Sequence, residues 1–395
     1  MNRTFLHRCS IGLGILVVAW MVVQPAQGAT EWKAGVAKVC ITPEKFMWMA
    51  GYGGRKEPAN GKYSDLWVKS LVLEDAAGRR AVLVSFDLLG IGHDLAASIC
   101  DQLHQQFGLK RDQVALCFSH THSGPVVGRN LEPLHYRQVD ADQQALIDQY
   151  ADTLRQHVVA CVGKAVEAVE PVAVTWGSGT ATFAVNRRNN KEAQVPELRE
   201  RNELCGPQDH DVPVLAVRDA KGGLMAVVFG YACHGTVLTD LSWCGDYPGF
   251  AQAELEARNA DCVAMFWAGC GGDQNPLPRR KLELAQQYGR RLADAVSKVL
   301  AGKMEPVAAE LKTAYVEVPL PLAALPTKAE WQQAAGSKNR YEQARARMFL
   351  ERMEAGETIP DTYPYGIGVW RLGDRIDWVF LGGEVVVDYA LRLKA

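Results

Sequence analysis

An α/β fold with helices covering sheets is what this sequence predicts, and three observations carry that reading. Apolar, β-branched runs recur between amphipathic stretches along the chain. The 395 residues are 48% apolar and 22% charged, enough to bury a large core and unlike a disordered tail. Several of the apolar runs end abruptly in clusters of His, Asp, Glu and Gly, as strands do where they deliver side chains to a site.

The elements follow in order. Leu71–Leu73 and Ala81–Leu88 read as a hairpin about the Ala77-Gly78 turn. Leu95–Phe107 has helical spacing, and Val114–Phe118 is the strand that follows it. Asp142–Val169 keeps a helical period over a long stretch, and Val172–Trp176 is a strand. The polar stretch from Arg187 to Asp211 mixes charge with Asn, Gly and Pro and reads as a surface excursion. Val214–Val217 is a strand with Pro213 at its first edge, where a missing N–H is tolerated. Leu224–Ala232 and Val263–Trp267 are buried strands, separated by a helix over Phe250–Ala257. Leu282–Leu300 is an amphipathic helix, Leu311–Leu320 alternates as a strand, and Lys328–Glu354 is charged and helical. Val369–Leu372 and Asp377–Leu381 close the pattern as a hairpin about Gly373-Asp374.

The N-terminus reads as a leader. Arg3 and Arg8 precede the apolar run Ile11–Val23, and Ala26-Gln27-Gly28 has the small residues that signal peptidase reads. The run is shorter than the ~20 residues a membrane span needs. Residues 1–28 are therefore expected to be a signal peptide, leaving an exported chain from about Ala29 that, with no evident linker, reads as one domain over 29–395. Removing two Arg and no acidic residue takes the net charge from −2 to −4. Neither value, without a block of Lys and Arg, suits a protein held to nucleic acid by phosphate contacts. Of nine cysteines beyond Cys9, Cys205, Cys244 and Cys270 lie near Gly-rich loops and are the better candidates for pairing. There is no CxxC pair to build a thiolate zinc cluster.

The chemistry gathers at four strand ends. Val114–Phe118 leads into Ser119-His120-Thr121-His122-Ser123-Gly124-Pro125, and Ala226–Cys233 into His234-Gly235-Thr236. Val263–Trp267 leads into Gly269–Pro276, and Trp378–Leu381 into Gly382-Gly383-Glu384. In extended backbone, residues two apart face the same side, so His120 and His122 share one cavity while Thr121 turns away. A catalytic zinc takes three protein ligands and keeps a position for water, whose pKa it lowers to about 7. His120, His234 and Glu384 supply such a set, leaving His122 as a proton carrier or an oxyanion donor. Taken singly, each residue has a plainer role. His234 suits a Gly-flanked turn, Glu384 the start of a helix, Asp246 a turn, Asp209-His210-Asp211 a solvated turn, and Asp87 a buried hydrogen-bonded carboxylate.

Together the motifs resemble the neutral ceramidases. Ala34-Gly35-Val36 with Ile41-Thr42-Pro43, Met49-Ala50-Gly51-Tyr52-Gly53 and Ser85-Phe86-Asp87-Leu88 resemble the start of that family. The string Ser119 to Pro125 is the most specific piece, followed by Asn186-Arg187, Cys233–Thr236 and Gly245-Asp246. The likeness spans roughly residues 33–275, and 376–390 more loosely. It implies mixed β-sheets flanked by α-helices, zinc on His120, His234 and Glu384, and His122 and Arg187 lining the active site. It also implies hydrolysis of the amide joining a fatty acid to a sphingoid base, hence a lipid or small-molecule amide substrate and transient contact with a membrane surface. Three departures accompany it. Asn275 stands where the family places a Ser, and an amide cannot replace a hydroxyl nucleophile, though it can contact the substrate. The family continues beyond the counterpart of residue 395 with two active-site tyrosines and an immunoglobulin-like domain, so the chain is expected to be truncated. The segment after the HTH string is rich in charge, with Arg129, Glu132, His135 and Arg137. The expected function is an exported zinc-dependent amide hydrolase using metal-activated water, with Asn275 at the substrate. A metal-dependent esterase on the same scaffold and a catalytically silent zinc- or ligand-binding protein are the alternatives.

Overall fold

A computed structural model of the protein describes residues 31–395, so the expected leader lies outside the described residues. The described residues open with β1 (Trp32–Cys40), the short β2 (Gly61–Lys62), β3 (Trp67–Glu74) and β4 (Arg80–Phe86). The β3–β4 turn forms because the Asp75 carboxylate accepts the N–H groups of Ala77 and Arg79, each at 2.9 Å, while Gly78 takes a left-handed φ of 78°. Helix α1 (His93–Phe107) stops at left-handed Gly108, and β5 (Val114–Phe118) has the expected bounds. Helix α2 (Ala141–Glu167) begins where the Asp140 carboxylate accepts Gln143 N–H at 2.9 Å. Next come β6 (Glu170–Thr180), β7 (Ala184–Asn186), the short α3 (Val195–Glu200), β8 (Asp211–Asp219) and β9 (Leu224–Tyr231). After β10 (Ser242–Trp243), α4 (Asp246–Arg258) returns the chain to β11 (Val263–Ala268) and β12 (Gln274–Pro276). The remainder is α5 (Leu282–Ala301), β13 (Glu305–Pro306), β14 (Leu311–Pro321), α6 (Lys328–Ala334), α7 (Arg340–Glu354), β15 (Thr362–Leu372), β16 (Ile376–Leu381) and α8 (Val387–Lys394).

Strands β11-β9-β8-β6-β1-β3-β4-β5 form one mixed sheet, with β13 added to β6. The β4–β5 and β9–β11 pairs are parallel, and the others are antiparallel. Period-two alternation sorts the side chains. Val72, Val82 and Val84 pack under α1 and α2 with Ile99, Leu154 and Val158. Val214, Ala216 and Phe229 pack under α4 and α5 with Leu255 and Leu292. Their neighbours Leu71, Leu83, Leu215, Val217 and Val228 point the other way, onto Trp370, Leu372, Ile376 and Trp378. Those last residues belong to a second sheet, β14-β15-β16. Helices therefore cover one face of the large sheet and a small sheet covers the other. Each fully buried Val, Leu or Phe contributes about 1.5–3 kcal/mol relative to exposure.

The large sheet curls until its far edges touch. An isolated parallel bridge joins Thr121, just beyond β5, to Gly235, just beyond β9, and His122 N–H donates to Gly235 C=O at 3.1 Å. Lys69 of β3 also reaches across, donating to Ala264 C=O of β11 at 2.7 Å and to Glu256 at 2.8 Å.

Three expectations are corrected and one strand is added. The charged stretch 328–354 is two helices, because Gly336 ends α6 and the Asn339 side chain accepts from Tyr341 N–H to start α7. Pro213 is the third residue of β8, opposite Ser178 of β6 and just past the end of the β8–β9 ladder, so its missing N–H breaks no bond to β9. Cys205, Cys244 and Cys270 are free thiols, as are the other six described cysteines. Strand β1, absent from the sequence reading, is the spine between β3 and β6. Its Gly35 sits so close to α2 that an added Cβ would lie 2.0 Å from Ala165 C=O.

Gly35→Ala is accordingly expected to destabilise the fold by about 1–3 kcal/mol, read as a lowered denaturation midpoint. An unchanged midpoint would mean that α2 does not need this close approach.

Candidate active site

The Thr121–Gly235 bridge brings the strand-end residues together. His120 follows β5 with a left-handed φ of 57°, an uncommon backbone for a residue with a Cβ. It is not in the extended conformation that the His-x-His pattern suggested, yet its ring still meets that of His122, with the two Nε2 atoms 3.3 Å apart. Thr121 does turn away, donating its hydroxyl to Cys244 C=O at 2.8 Å. His234 follows β9, its ring centroid 4.8 Å from that of His120 and 6.0 Å from that of His122. One ligand nitrogen from each of the three rings lies within 4.8 Å of the others. Glu384, beyond β16, completes the group, with Oε2 3.0 Å from His234 Nε2 and Oε1 3.4 Å from His120 Nε2.

Hydrogen bonds on the far side of two rings fix their tautomers. His120 Nδ1–H donates to Leu89 C=O at 3.0 Å, and His234 Nδ1–H donates to Gly271 C=O at 2.7 Å. With Nδ1 protonated, each neutral ring turns an Nε2 lone pair toward Glu384. Lone pairs facing a carboxylate repel unless the rings gain a proton or a cation lies among them. When the rings carry that extra proton, hydrogen bonds from His120 and His234 hold the Glu384 carboxyl well below the usual carboxylate range. Burial, then the neighbouring His120 and His234, pushes the His122 ring well below its ordinary value. The donor set fits a divalent cation that takes imidazole nitrogen and carboxylate oxygen, such as zinc.

Arg187 borders this group, and the loop that holds it, Gly269–Pro276, also carries Asn275. The Arg187 guanidinium donates to Gly272 C=O at 2.7 Å and lies 3.9 Å from Glu384 Oε2, and burial lowers its pKa. Asn275 is buried in β12, paired with Val185 of β7, and its side-chain carbonyl has no partner among the described residues. The amide therefore keeps an acceptor free for a ligand or water.

Sequence reasoning missed the wall behind His122. Gly51, at φ 97°, presses on the His122 ring, and an added Cβ would meet it at 2.4 Å. The Tyr52 ring lies 4.7 Å from that of His122. Burial raises the Tyr52 phenol to about 12. Buried Arg55 donates to His122 C=O at 2.8 Å and to Ala50 C=O, and its pKa falls to about 10 through burial. Buried His135 accepts Gly51 N–H at 3.3 Å, and burial pushes its ring down to about 4. An arginine in a Gly- and Lys-rich stretch gives no local sign of burial. The only sequence signal nearby was the string Met49–Gly53.

The other singled-out acids have structural roles. Asp87 is buried and accepts Trp67 N–H at 3.1 Å and the Gln252 amide at 2.9 Å. Asp209 and Asp211 both take Lys394 of α8, each at 2.7 Å, while His210 Nε2–H donates to Ala184 C=O at 3.0 Å. Asp246 is more than a turn residue. It is fully buried with φ 55°, and its carboxylate accepts Leu238 N–H at 2.9 Å and Tyr247 N–H at 2.7 Å.

Burial raises the Asp246 carboxyl to about 6 from 3.8. A carboxyl titrating higher in the folded than in the unfolded chain costs stability as pH rises through that window. Relative to Asp246→Asn, which does not titrate, the wild type is expected to gain stability as pH falls from 7 to 4, approaching about 3 kcal/mol. Parallel denaturation curves at the two pH values check this, and a pH-independent difference would refute it.

Comparison with known proteins agrees with this architecture. The family described as "Neutral/alkaline non-lysosomal ceramidase, N-terminal" matches residues 32–276. The neutral ceramidase of Pseudomonas aeruginosa is 25% identical over 257 residues, covering 62% of this chain and 37% of that protein. Neutral ceramidase A of Dictyostelium discoideum is 25% identical over 246 residues, covering 58% and 34%. The chain thus spans about a third of the length of the curated relatives it matches. The crystal structure of the Pseudomonas aeruginosa neutral ceramidase superposes with a TM-score of 0.70 at 21% identity, covering 92% of this chain and 64% of that one. A structure of a ceramidase complexed with C2 gives 0.71 at 20% identity, covering 92% and 65%. The mixed, helix-flanked fold is shared with those structures. The family match covers more than half of the chain, and the chain belongs to the neutral/alkaline non-lysosomal ceramidase family.

Proposed function

We propose that this protein is an exported, zinc-dependent hydrolase, with residues 29–395 as its catalytic domain, that cleaves the amide bond of an N-acyl lipid of the ceramide type. The observation that carries the reading is the convergence of His120, His234 and Glu384, with two Nε2 lone pairs turned on one carboxylate by the Leu89 and Gly271 carbonyls. His120, His234 and Glu384 would hold the zinc. Bound there, zinc would supply Lewis acidity and hydroxide near neutral pH.

The remaining residues act on the substrate. His122 Nε2 faces the group and its ring is kept neutral by burial, so it can take the proton of the attacking water. It then returns that proton to the nitrogen as the C–N bond breaks, giving a carboxylic acid and an amine. The Arg187 guanidinium, 3.9 Å from Glu384, supplies positive charge and N–H donors for the developing oxyanion. Asn275 orients the substrate through its amide, since it cannot attack as a hydroxyl would.

The surface supports an apolar substrate and transient contact with a membrane. Val316, Val318 and Leu320 alternate along β14, share one face and are exposed, with exposed Tyr363 paired opposite Leu320. The same three-stranded sheet carries β16, which runs into Glu384. Among the described residues no helix is long and apolar enough to cross a membrane.

Elemental mass spectrometry on the purified chain is expected to find about one zinc, lost in His120→Ala and His234→Ala. Hydrolysis of N-acyl lipids should stop with chelator and in His234→Ala. Turnover of esters but not amides would replace this reading with an esterase, and ligand binding without turnover would make the protein a binder. Arg187→Ala is expected to lower kcat/KM about 10²–10³-fold with zinc content unchanged, and a wild-type kcat/KM would remove Arg187 from the chemistry.

A further inference from the structure

The loop between β11 and β12 touches every segment that carries a site residue on this side of the molecule. Gly271 C=O receives His234 Nδ1–H, and Gly272 C=O receives the Arg187 guanidinium. Gly272 N–H donates to Val385 C=O at 2.8 Å. This approach needs glycine, because a Cβ at Gly272 would lie 2.4 Å from Glu384 C=O. The next residue, Asp273, is buried and uses three oxygens on two different segments. Its backbone carbonyl accepts Arg187 N–H at 2.8 Å, and Oδ2 accepts the Asn186 amide at 3.1 Å. Its Oδ1 accepts Val387 N–H at 2.9 Å, the first N–H of α8, which no side chain of its own segment caps.

We propose that Asp273 is a positioning residue that fixes Glu384 and Arg187 together by clamping the two segments that carry them. Glu384 needs such a clamp. It follows Gly382 and Gly383, the latter at φ 77°, and its side chain is half-exposed. Few contacts of its own hold it against the histidines. The pair Gly272 N–H to Val385 C=O and Val387 N–H to Asp273 Oδ1 brackets Glu384 on its C-terminal side. On the other segment, the Asn186 side-chain carbonyl accepts Arg188 N–H at 3.0 Å and Asn189 N–H at 3.3 Å. This shapes the turn that carries Arg187 and prevents the Asn186 amide from flipping. A carboxylate is required at 273, because it accepts an N–H on each oxygen. An amide there offers one acceptor and turns an NH₂ on the other N–H group.

The test uses the full chain and two independent readouts, amide hydrogen exchange and titration with zinc alone against a competing chelator. In Asp273→Asn, exchange is expected to quicken over residues 384–394 and 187–190 while β3, β4 and β9 keep their protection. Zinc affinity should fall about 10–100-fold. In a Glu384→Ala background the same substitution should cost no further zinc affinity, because the carboxylate it positions is gone. Should Asp273→Asn fail to fold, Val387→Pro serves instead. It deletes the one N–H that Asp273 caps, at a first helical position where Pro is tolerated, and should loosen 384–394 and weaken zinc in the same way. Unchanged exchange over 384–394, loosening spread evenly through the sheet, or an additive loss in the Glu384→Ala background would each overturn the proposal. The zinc arm rests on the function proposed above and the exchange arm does not. A chain that binds no zinc yet loosens at 384–394 would refute the zinc reading while leaving the clamp in place.

Discussion

The bridge between Thr121 and Gly235 is the contact on which the rest of the site depends. These residues follow β5 and β9, which stand seven strands and one strand from β11 along the sheet path, and so six strands from each other. Without curling, the two strand ends would be separated by most of the sheet, at nearly 5 Å per strand. The bond from His122 N–H to Gly235 C=O closes that gap and sets three histidines ring to ring. Lys69, reaching from β3 to Ala264 of β11, ties the same curl from inside. A buried ammonium persists there because a carboxylate and a carbonyl both receive it.

The site is preorganised by backbone carbonyls more than by charge. Leu89 and Gly271 each hold one imidazole by Nδ1 and so decide where its lone pair points. Behind His122, Gly51, Tyr52 and Arg55 form a wall whose Arg is held through its two NH₂ groups by backbone carbonyls, with Nε left unpartnered among the described residues. Orienting rings before any ligand arrives costs folding energy, visible as left-handed backbone at His120. Three apolar clusters supply the stability that carries it.

Much of the fold was legible because most of its elements obey a local period. The β3–β4 hairpin, α1, β5, α2, β9, β11 and α5 fall where hydrophobic spacing puts them, within a few residues. Those that escaped lack a local signal. Strand β1 mixes Ala, Lys and one Gly with only two Val, and its place between β3 and β6 is what makes it a strand. The break between α6 and α7 depends on an Asn339 cap that outweighs the helical period on either side. The three cysteines near Gly-rich loops are free because pairing needs proximity, which spacing in sequence does not report.

The sequence by itself determined the residue types of the site and the strand ends that bear them, since His, Glu and Arg after apolar runs are local features. Only the tertiary structure decided that these ends converge, that His120 turns left-handed, and that Arg55, His135 and Asp273 are buried behind the site. Convergence comes from a sheet that closes on itself, from carbonyls 31 and 37 residues away from the rings they hold, and from a carboxylate 150 residues away from His234. Such contacts leave no periodic trace, because each joins positions whose separation in sequence is set by everything folded between them.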